Sequence, residues 1–169
     1  GRGFKHKWSV NFKWVPCAPS IVETDLADCA GPFASTAFKL ATLSLHAGAL
    51  LVFAHTRWCR PHGGFLAFFR QPRRHLAPVE TAAMLFECNF LGLAFARSLH
   101  FQFCVWYANT LPFLAFCTDL PLVAKLLLLF AIEAAWNPWT GESSTVASSL
   151  LLTSAHITLI FALARARPV

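Results

Sequence analysis

The stretch that decides the reading is Ala96-Arg97-Ser98-Leu99-His100-Phe101-Gln102-Phe103-Cys104-Val105-Trp106-Tyr107. It lies between two long apolar runs and gathers an Arg, a Ser, a His, a Gln and two amphipathic aromatics within twelve residues. Elsewhere polar groups come singly or sit in hydrophilic connectors. Trp and Tyr favour the boundary between water and an apolar phase, and an Arg at the end of an apolar helix can reach outward to solvent. The stretch therefore reads as a junction between two apolar spans and as the first place to look for a functional surface.

The composition around it fits that reading. Of the 169 residues, 56% are hydrophobic and 13% charged, with 17 Phe and 6 Trp. Soluble domains hold about 45–50% apolar and about 25% charged residues. The mean hydropathy is +0.53, and apolar runs approaching the ~20 residues needed to cross a bilayer recur along the chain. The expected fold is all-α, a polytopic transmembrane helical bundle. Five spans are expected within 33–167, at about 33–56, 80–96, 103–118, 122–136 and 146–164, with Pro112 as a kink in the third. Residues 1–32, with Trp8 and Trp14 among lysines, read as a connector lying on the membrane surface.

The connector 57–79 holds Arg57, Arg60, Arg70, Arg73 and Arg74 and no acid. The positive-inside rule places it in the cytoplasm. Threading from there puts 97–102 and 137–145 on the far side and the tail, with Arg165 and Arg167, in the cytoplasm. The formal charge of +6 is spread over several connectors, which argues against a nucleic-acid partner and for a record of membrane orientation. No Met opens the chain and no secretory leader follows, so it reads as the C-terminal piece of a longer protein. The six Cys show no CxxC pairing, so no metal site is expected; no cofactor is expected either. Cys17 and Cys29 share one connector and could pair in an oxidising compartment.

Among polar groups, Arg97, His100 and Gln102 suit an anion held at the interface, because Arg grips phosphate through a planar fork of donors. Trp106 and Tyr107 could line an apolar groove or stack on a sugar face. The plainer reading, an interfacial anchor and aromatic belt, stands level with it at this point. Glu133, near the far-side end of the fourth span, could point toward the same surface as Arg97. Glu87 lies mid-way through the second span, where an ionised carboxylate costs at least roughly 2.5–3.5 kcal/mol. It should face the interior, protonated or paired, with Asn89 and Arg97 as candidate partners. His46 and His156 read as interhelical hydrogen-bond partners. The sequence contains no phosphate loop, no nucleophile elbow, no HExxH and no paired carboxylates in a far-side loop. The patch Glu23-Thr24-Asp25 is the one candidate base cluster and reads as solvated surface.

Two functional classes remain. A transferase gathers polar residues at one rim. A transporter or assembly scaffold would set Glu87, His46 and His156 along a path near the midplane. The densest cluster here is at the rim.

The blocks Ser9-Val10-Asn11-Phe12-Lys13-Trp14-Val15-Pro16, Cys88-Asn89-Phe90-Leu91-Gly92, Arg97 to Tyr107 with Thr110-Leu111-Pro112, and Ile132-Glu133 with Trp136-Asn137 together resemble the C-terminal part of the dolichyl-phosphate-mannose alpha-1,3-mannosyltransferases of asparagine-linked glycosylation. Order and spacing match along nearly the whole chain. Phe101 and Cys104 stand where that family usually has Tyr. The resemblance implies a multi-pass endoplasmic-reticulum membrane enzyme of the GT-C architecture. Its donor would be dolichyl phosphate mannose and its acceptor a dolichol-linked oligosaccharide. It also implies a general base in a luminal loop upstream of Gly1, so no catalytic residue is assigned in this chain. Arg97, His100, Gln102, Trp106, Tyr107 and Glu133 become the candidate substrate-binding residues. An inactive fragment remains the alternative for the chain in isolation.

Overall fold

In the computed structural model the described residues are 11–12, 14–15, 18–19, 29–30, 32, 35–70, 76–97, 99, 101–137 and 145–168. Helices dominate. α1 spans Thr36–Phe53 and runs on into a π-helical turn, Ala54–Trp58, and a 3-10 turn, Arg60–His62. Then come α2 (Phe65–Arg70), α3 (Pro78–Phe95), a 3-10 turn at Phe101–Phe103, α4 (Cys104–Ala108), α5 (Leu111–Phe116), α6 (Leu122–Trp136) and α7 (Val146–Arg165). A two-residue antiparallel pair, Ala18–Pro19 with Cys29–Ala30, precedes α1. Cys17 and the Glu23-Thr24-Asp25 patch lie outside the described residues.

Local chemistry sets these ends. The Ser35 hydroxyl accepts from the Phe38 amide at 3.1 Å and starts α1. Pro78 opens α3, where its missing N–H costs nothing, and the Glu80 carboxylate accepts from the Ala77 amide at 2.7 Å. Thr145 and Ser148 each accept from the other's backbone amide at the start of α7. The chain reverses before α2 at Gly63 and Gly64, with φ of 84° and 95°, a region that glycine enters without a Cβ penalty.

The expected continuous helix over 103–118 is two short ones. Pro112 has no N–H for the carbonyl of Ala108 and its ring crowds that turn. The chain breaks at Asn109–Thr110, and Thr110 satisfies the Tyr107 carbonyl with both its amide and its hydroxyl, each at 2.9 Å. The helices of five and six residues that result each fall short of the ~20 residues a single-helix crossing needs.

Successive long elements alternate in direction. The Phe12 ring meets Phe38 at the start of α1 edge-on, at 5.6 Å, while the neighbouring Asn11 reaches the last carbonyls of α3. Arg57, beyond the far end of α1, meets the last turn of α7. α6 and α7 form the most extensive helix pair. The core lies between α3, α5, α6 and α7, around Phe90, Leu91, Leu114, Ile132, Leu152 and Leu159.

The exterior is also apolar. Leu40, Leu43 and Leu51 on α1 and Val123, Leu127 and Phe130 on α6 are all more than half exposed. Two helices, Thr36–Trp58 and Val146–Arg165, are long and apolar enough to cross a membrane, with 11% and 39% of their most apolar windows buried. A surface of this kind in water would be an aggregation liability. Together these features point to membrane association.

Candidate functional site

The rim is built where α3 ends and α4 begins. Asn11, 1% exposed, donates its side-chain amide toward the carbonyls of Leu93, Ala94 and Ala96 at 3.1, 3.2 and 2.9 Å. It thereby caps the end of α3, where the last carbonyls run out of helical partners and Leu93 is met otherwise by the Ala96 amide. Arg97 follows immediately and is half-buried. Gln102 stands exposed in the 3-10 turn. Trp106 is 61% exposed, packs edge-on against Phe103 at 4.6 Å, and its carbonyl accepts from the Asn89 side chain at 2.9 Å. His100 lies outside the described residues.

Glu133 is exposed near the end of α6, where it accepts from the Asn137 side chain at 2.7 Å. It borders a groove of about 300 Å³ between α4, α5 and α6, walled by Cys104, Ala108, Pro112, Leu129 and Phe130. Glu133 thus stands as the one carboxylate at the edge of a mostly apolar trough. Such a shape can take a hydrocarbon chain along the trough and a polar group at the rim.

Tyr107 does not join that rim. It is fully buried, because its place in α4 turns it inward against α3, α6 and α7 while Trp106 faces out. Trp136 donates its indole N–H to the Tyr107 oxygen at 2.7 Å, and that oxygen lies 3.0 Å from His156 Nε2. Having accepted from Trp136, the hydroxyl has its own proton to give. The hydroxyl thus links the Trp136 indole to the His156 ring. Nδ1 has no hydrogen-bond partner among the described residues. Phe90 stacks on Tyr107 at 6.3 Å and meets His156 edge-on at 5.4 Å. The expectation that Tyr107 lines a substrate groove is corrected: its hydroxyl joins α4 to α6 and α7. His156 is an interhelical partner, as expected.

At the opposite end, Glu87 is 1% exposed and paired, with Arg57 rather than with Asn89 or Arg97. Arg57 Nη2 lies 2.8 Å from Glu87 Oε1, and Nε donates to the same oxygen at 2.9 Å. Trp58 donates its indole N–H to Glu87 Oε2 at 2.6 Å. Arg57 Nη1 donates to the carbonyls of Leu163 and, at 3.0 Å, Ala166, so one guanidinium closes a carboxylate and the C-terminus of α7 together. The π-helical turn lets consecutive residues, Arg57 and Trp58, reach the same carboxylate. Arg57 is 2% exposed, so it leaves the set of loop arginines counted for orientation. A small void of about 30 Å³ lies beside the pair, bordered also by His62 and Glu80, whose Nε2 and Oε1 are 3.9 Å apart. Burial pushes the neighbouring Cys59 thiol above its usual range.

Sequence reasoning missed Arg57, Trp58, Asn11 and Trp136. The available signal was charge arithmetic: Glu87 is the one acid inside its apolar run, and Arg57 sits at the edge of the run before it.

A family model described as ALG3 protein matches residues 1–149. An Arabidopsis thaliana protein named Dol-P-Man:Man(5)GlcNAc(2)-PP-Dol alpha-1,3-mannosyltransferase is 33% identical, covering 96% of this chain and 37% of its own length. The Homo sapiens and Mus musculus proteins of the same name are each 36% identical, covering 96% and 88% of this chain. The chain spans about a third of the length of these relatives. No solved structure matches. With the match running through the rim, the capping Asn11 and the buried Tyr107 alike, the chain belongs to the ALG3 protein family.

Proposed function

We propose that this chain forms the lipid-carrier-binding helices of an enzyme that transfers mannose, in alpha-1,3 linkage, from dolichyl phosphate mannose to dolichol-linked Man5GlcNAc2 during N-glycan precursor assembly. The observation that carries the reading is family membership across nearly the whole chain. The helices form part of a multi-pass GT-C bundle in the endoplasmic-reticulum membrane, with the rim on the luminal side. Arg97, Gln102 and Trp106, together with His100, contact donor phosphate and sugar. The trough beside Glu133 takes the isoprenoid chain, whose apolar surface matches Ala108, Pro112, Leu129 and Phe130. No catalytic base is assigned to this chain; its residues bind and orient.

Two structural facts support this over a transport path. Glu87 and His156 are enclosed, with Arg57 and Trp58 on the Glu87 carboxylate and Tyr107 on His156 Nε2. The charge bias also survives the loss of Arg57. Arg60, Arg70, Arg165 and Arg167 are exposed at the Arg57 end, which the positive-inside rule sets in the cytoplasm.

The test expresses the protein that carries this chain in cells lacking their own alpha-1,3-mannosyltransferase and reads the lipid-linked oligosaccharides. Extension beyond Man5GlcNAc2 is expected. Accumulation of the five-mannose species at normal protein level overturns the proposal. Arg97→Ala should slow extension at unchanged protein level, and unaltered extension would remove Arg97 from the binding rim.

A further inference from the structure

A second groove lies away from the rim, where the α5–α6 turn meets the C-terminal half of α7. It has a volume of about 500 Å³, within the range of small-molecule sites, roughly 300–1,000 Å³. Its wall is apolar, from Leu120, Ile157, Phe161 and Ala162, and two opposite charges, Asp119 and Arg165, stand at its edge. Both are exposed. No ion pair joins them, and neither has an ion-pair partner among the described residues. The Thr158 hydroxyl is spent on the Ser154 carbonyl of its own helix, at 2.8 Å, so those two charges are the polar groups left for a ligand.

Two unpaired opposite charges at the mouth of one apolar groove select among ligands. A purely anionic headgroup would satisfy Arg165 and face Asp119; a purely cationic one would do the reverse. A zwitterion satisfies both, with phosphate on the guanidinium fork and ammonium on the carboxylate. We propose that this groove binds one glycerophospholipid with an ammonium-bearing headgroup. Its acyl chain lies along Ile157 and Phe161, its phosphate on Arg165 and its ammonium beside Asp119. The site is separate from the rim, and dolichyl phosphate mannose, which has a phosphate but no ammonium, is a poor match for it. The inference rests on the membrane-spanning reading given above.

The test reconstitutes the full chain in vesicles of equal phosphatidylethanolamine and phosphatidylglycerol, floats them, extracts the protein in mild detergent and counts retained lipids by native mass spectrometry. One retained phosphatidylethanolamine per chain is expected, favoured about tenfold over phosphatidylglycerol. Arg165→Gln should lose retention of both lipids, Asp119→Asn should lose the preference while keeping a lipid, and Ala162→Trp should block the groove. Arg167→Gln, two residues beyond Arg165 and outside the groove's lining, should change nothing. Equal retention of the two lipids by the native chain overturns the proposal, as does unchanged retention in Arg165→Gln or an equal loss in Arg167→Gln. Displacement of the lipid by inorganic phosphate would mean a bare anion site and overturn it too. A chain that fails to float refutes the membrane reading and this site with it; a chain that floats but retains no lipid refutes the site alone.

Discussion

At one end of the molecule a guanidinium and a carboxylate are withdrawn from solvent and every contact between them is made. At the other, Gln102 and Trp106 stand exposed, as does Glu133 at the edge of an apolar trough. The Arg57–Glu87 pair ties α3 to the turn after α1 and to the end of α7; at the rim the side chains of Gln102 and Trp106 face outward. Polar residues that come singly within apolar runs find one another across helices, because a lone polar group there has no water to turn to. At the dense junction, Gln102 and Trp106 are left facing outward while Tyr107 turns in. The contrast separates residues whose loss should be read in stability from residues whose loss should be read in turnover.

The largest expected effect falls on the buried pair. Glu87→Ala leaves the Arg57 guanidinium enclosed with its main partner gone and the Trp58 N–H unpaired, and should cost about 3–5 kcal/mol. Thermal unfolding in detergent would show it. Arg57→Leu with Glu87→Leu removes both charges and should recover much of the loss. If the double variant is as unstable as Glu87→Ala alone, the pair is not the clamp that its geometry describes.

Next is Tyr107→Phe. It keeps the ring against Phe90 but removes the oxygen that accepts from Trp136 and lies 3.0 Å from His156 Nε2. Leaving those two buried groups unpaired should cost about 1–3 kcal/mol. Both the melting temperature and the emission of Trp136 should report it. A neutral result would return Tyr107 to the rim side of the comparison.

The two regions were unequally legible in the sequence. Composition and apolar run length sufficed for an all-helical chain, since turn chemistry marks its boundaries: Pro78, Asp119-Leu120-Pro121 and the polar stretch before Val146. The break in 103–118 was half visible, because Pro112 announces a disturbance but not that Thr110 would hold the chain in a full turn. Inward and outward directions within α4 were not legible. Trp106 and Tyr107 are adjacent and chemically alike, and only the position of α4 against α3 and α7 sends one out and the other in. The Arg57–Glu87 pair was hidden for a different reason. Five arginines in one connector read as one electrostatic signal, and the place of Arg57 at the edge of the preceding apolar run is the single cue that sets it apart. The π-helical turn that swings it inward is a tertiary outcome.

Asn11→Ala tests the boundary between the two regions, since Asn11 is buried yet serves the rim. The carbonyls of Leu93, Ala94 and Ala96 lose the Asn11 amide, Leu93 keeping the Ala96 N–H, at a cost of about 1 kcal/mol. The change should be local: faster amide exchange in the last turn of α3, with the Arg57 end unaltered. Exchange that rises across α7 as well would mean that the rim and the clamp are one cooperative unit.

The smallest effect on stability, and the one that separates the regions best, belongs to Trp106→Ala. Its ring is mostly exposed and touches Phe103, while its anchoring contact, the carbonyl that accepts from Asn89, is backbone and survives the substitution. Stability should therefore move by no more than about 0.5 kcal/mol. If the rim binds the donor, the same variant should raise the donor concentration needed for half-maximal mannose transfer while the protein melts normally. Gln102→Ala should behave likewise, more weakly, because it gives up one directional donor rather than an aromatic face. A Trp106→Ala protein that melts early and transfers normally would invert the assignment: the exposed aromatic would then be an anchor for the helix assembly, and the binding surface would have to be sought along the trough at Glu133.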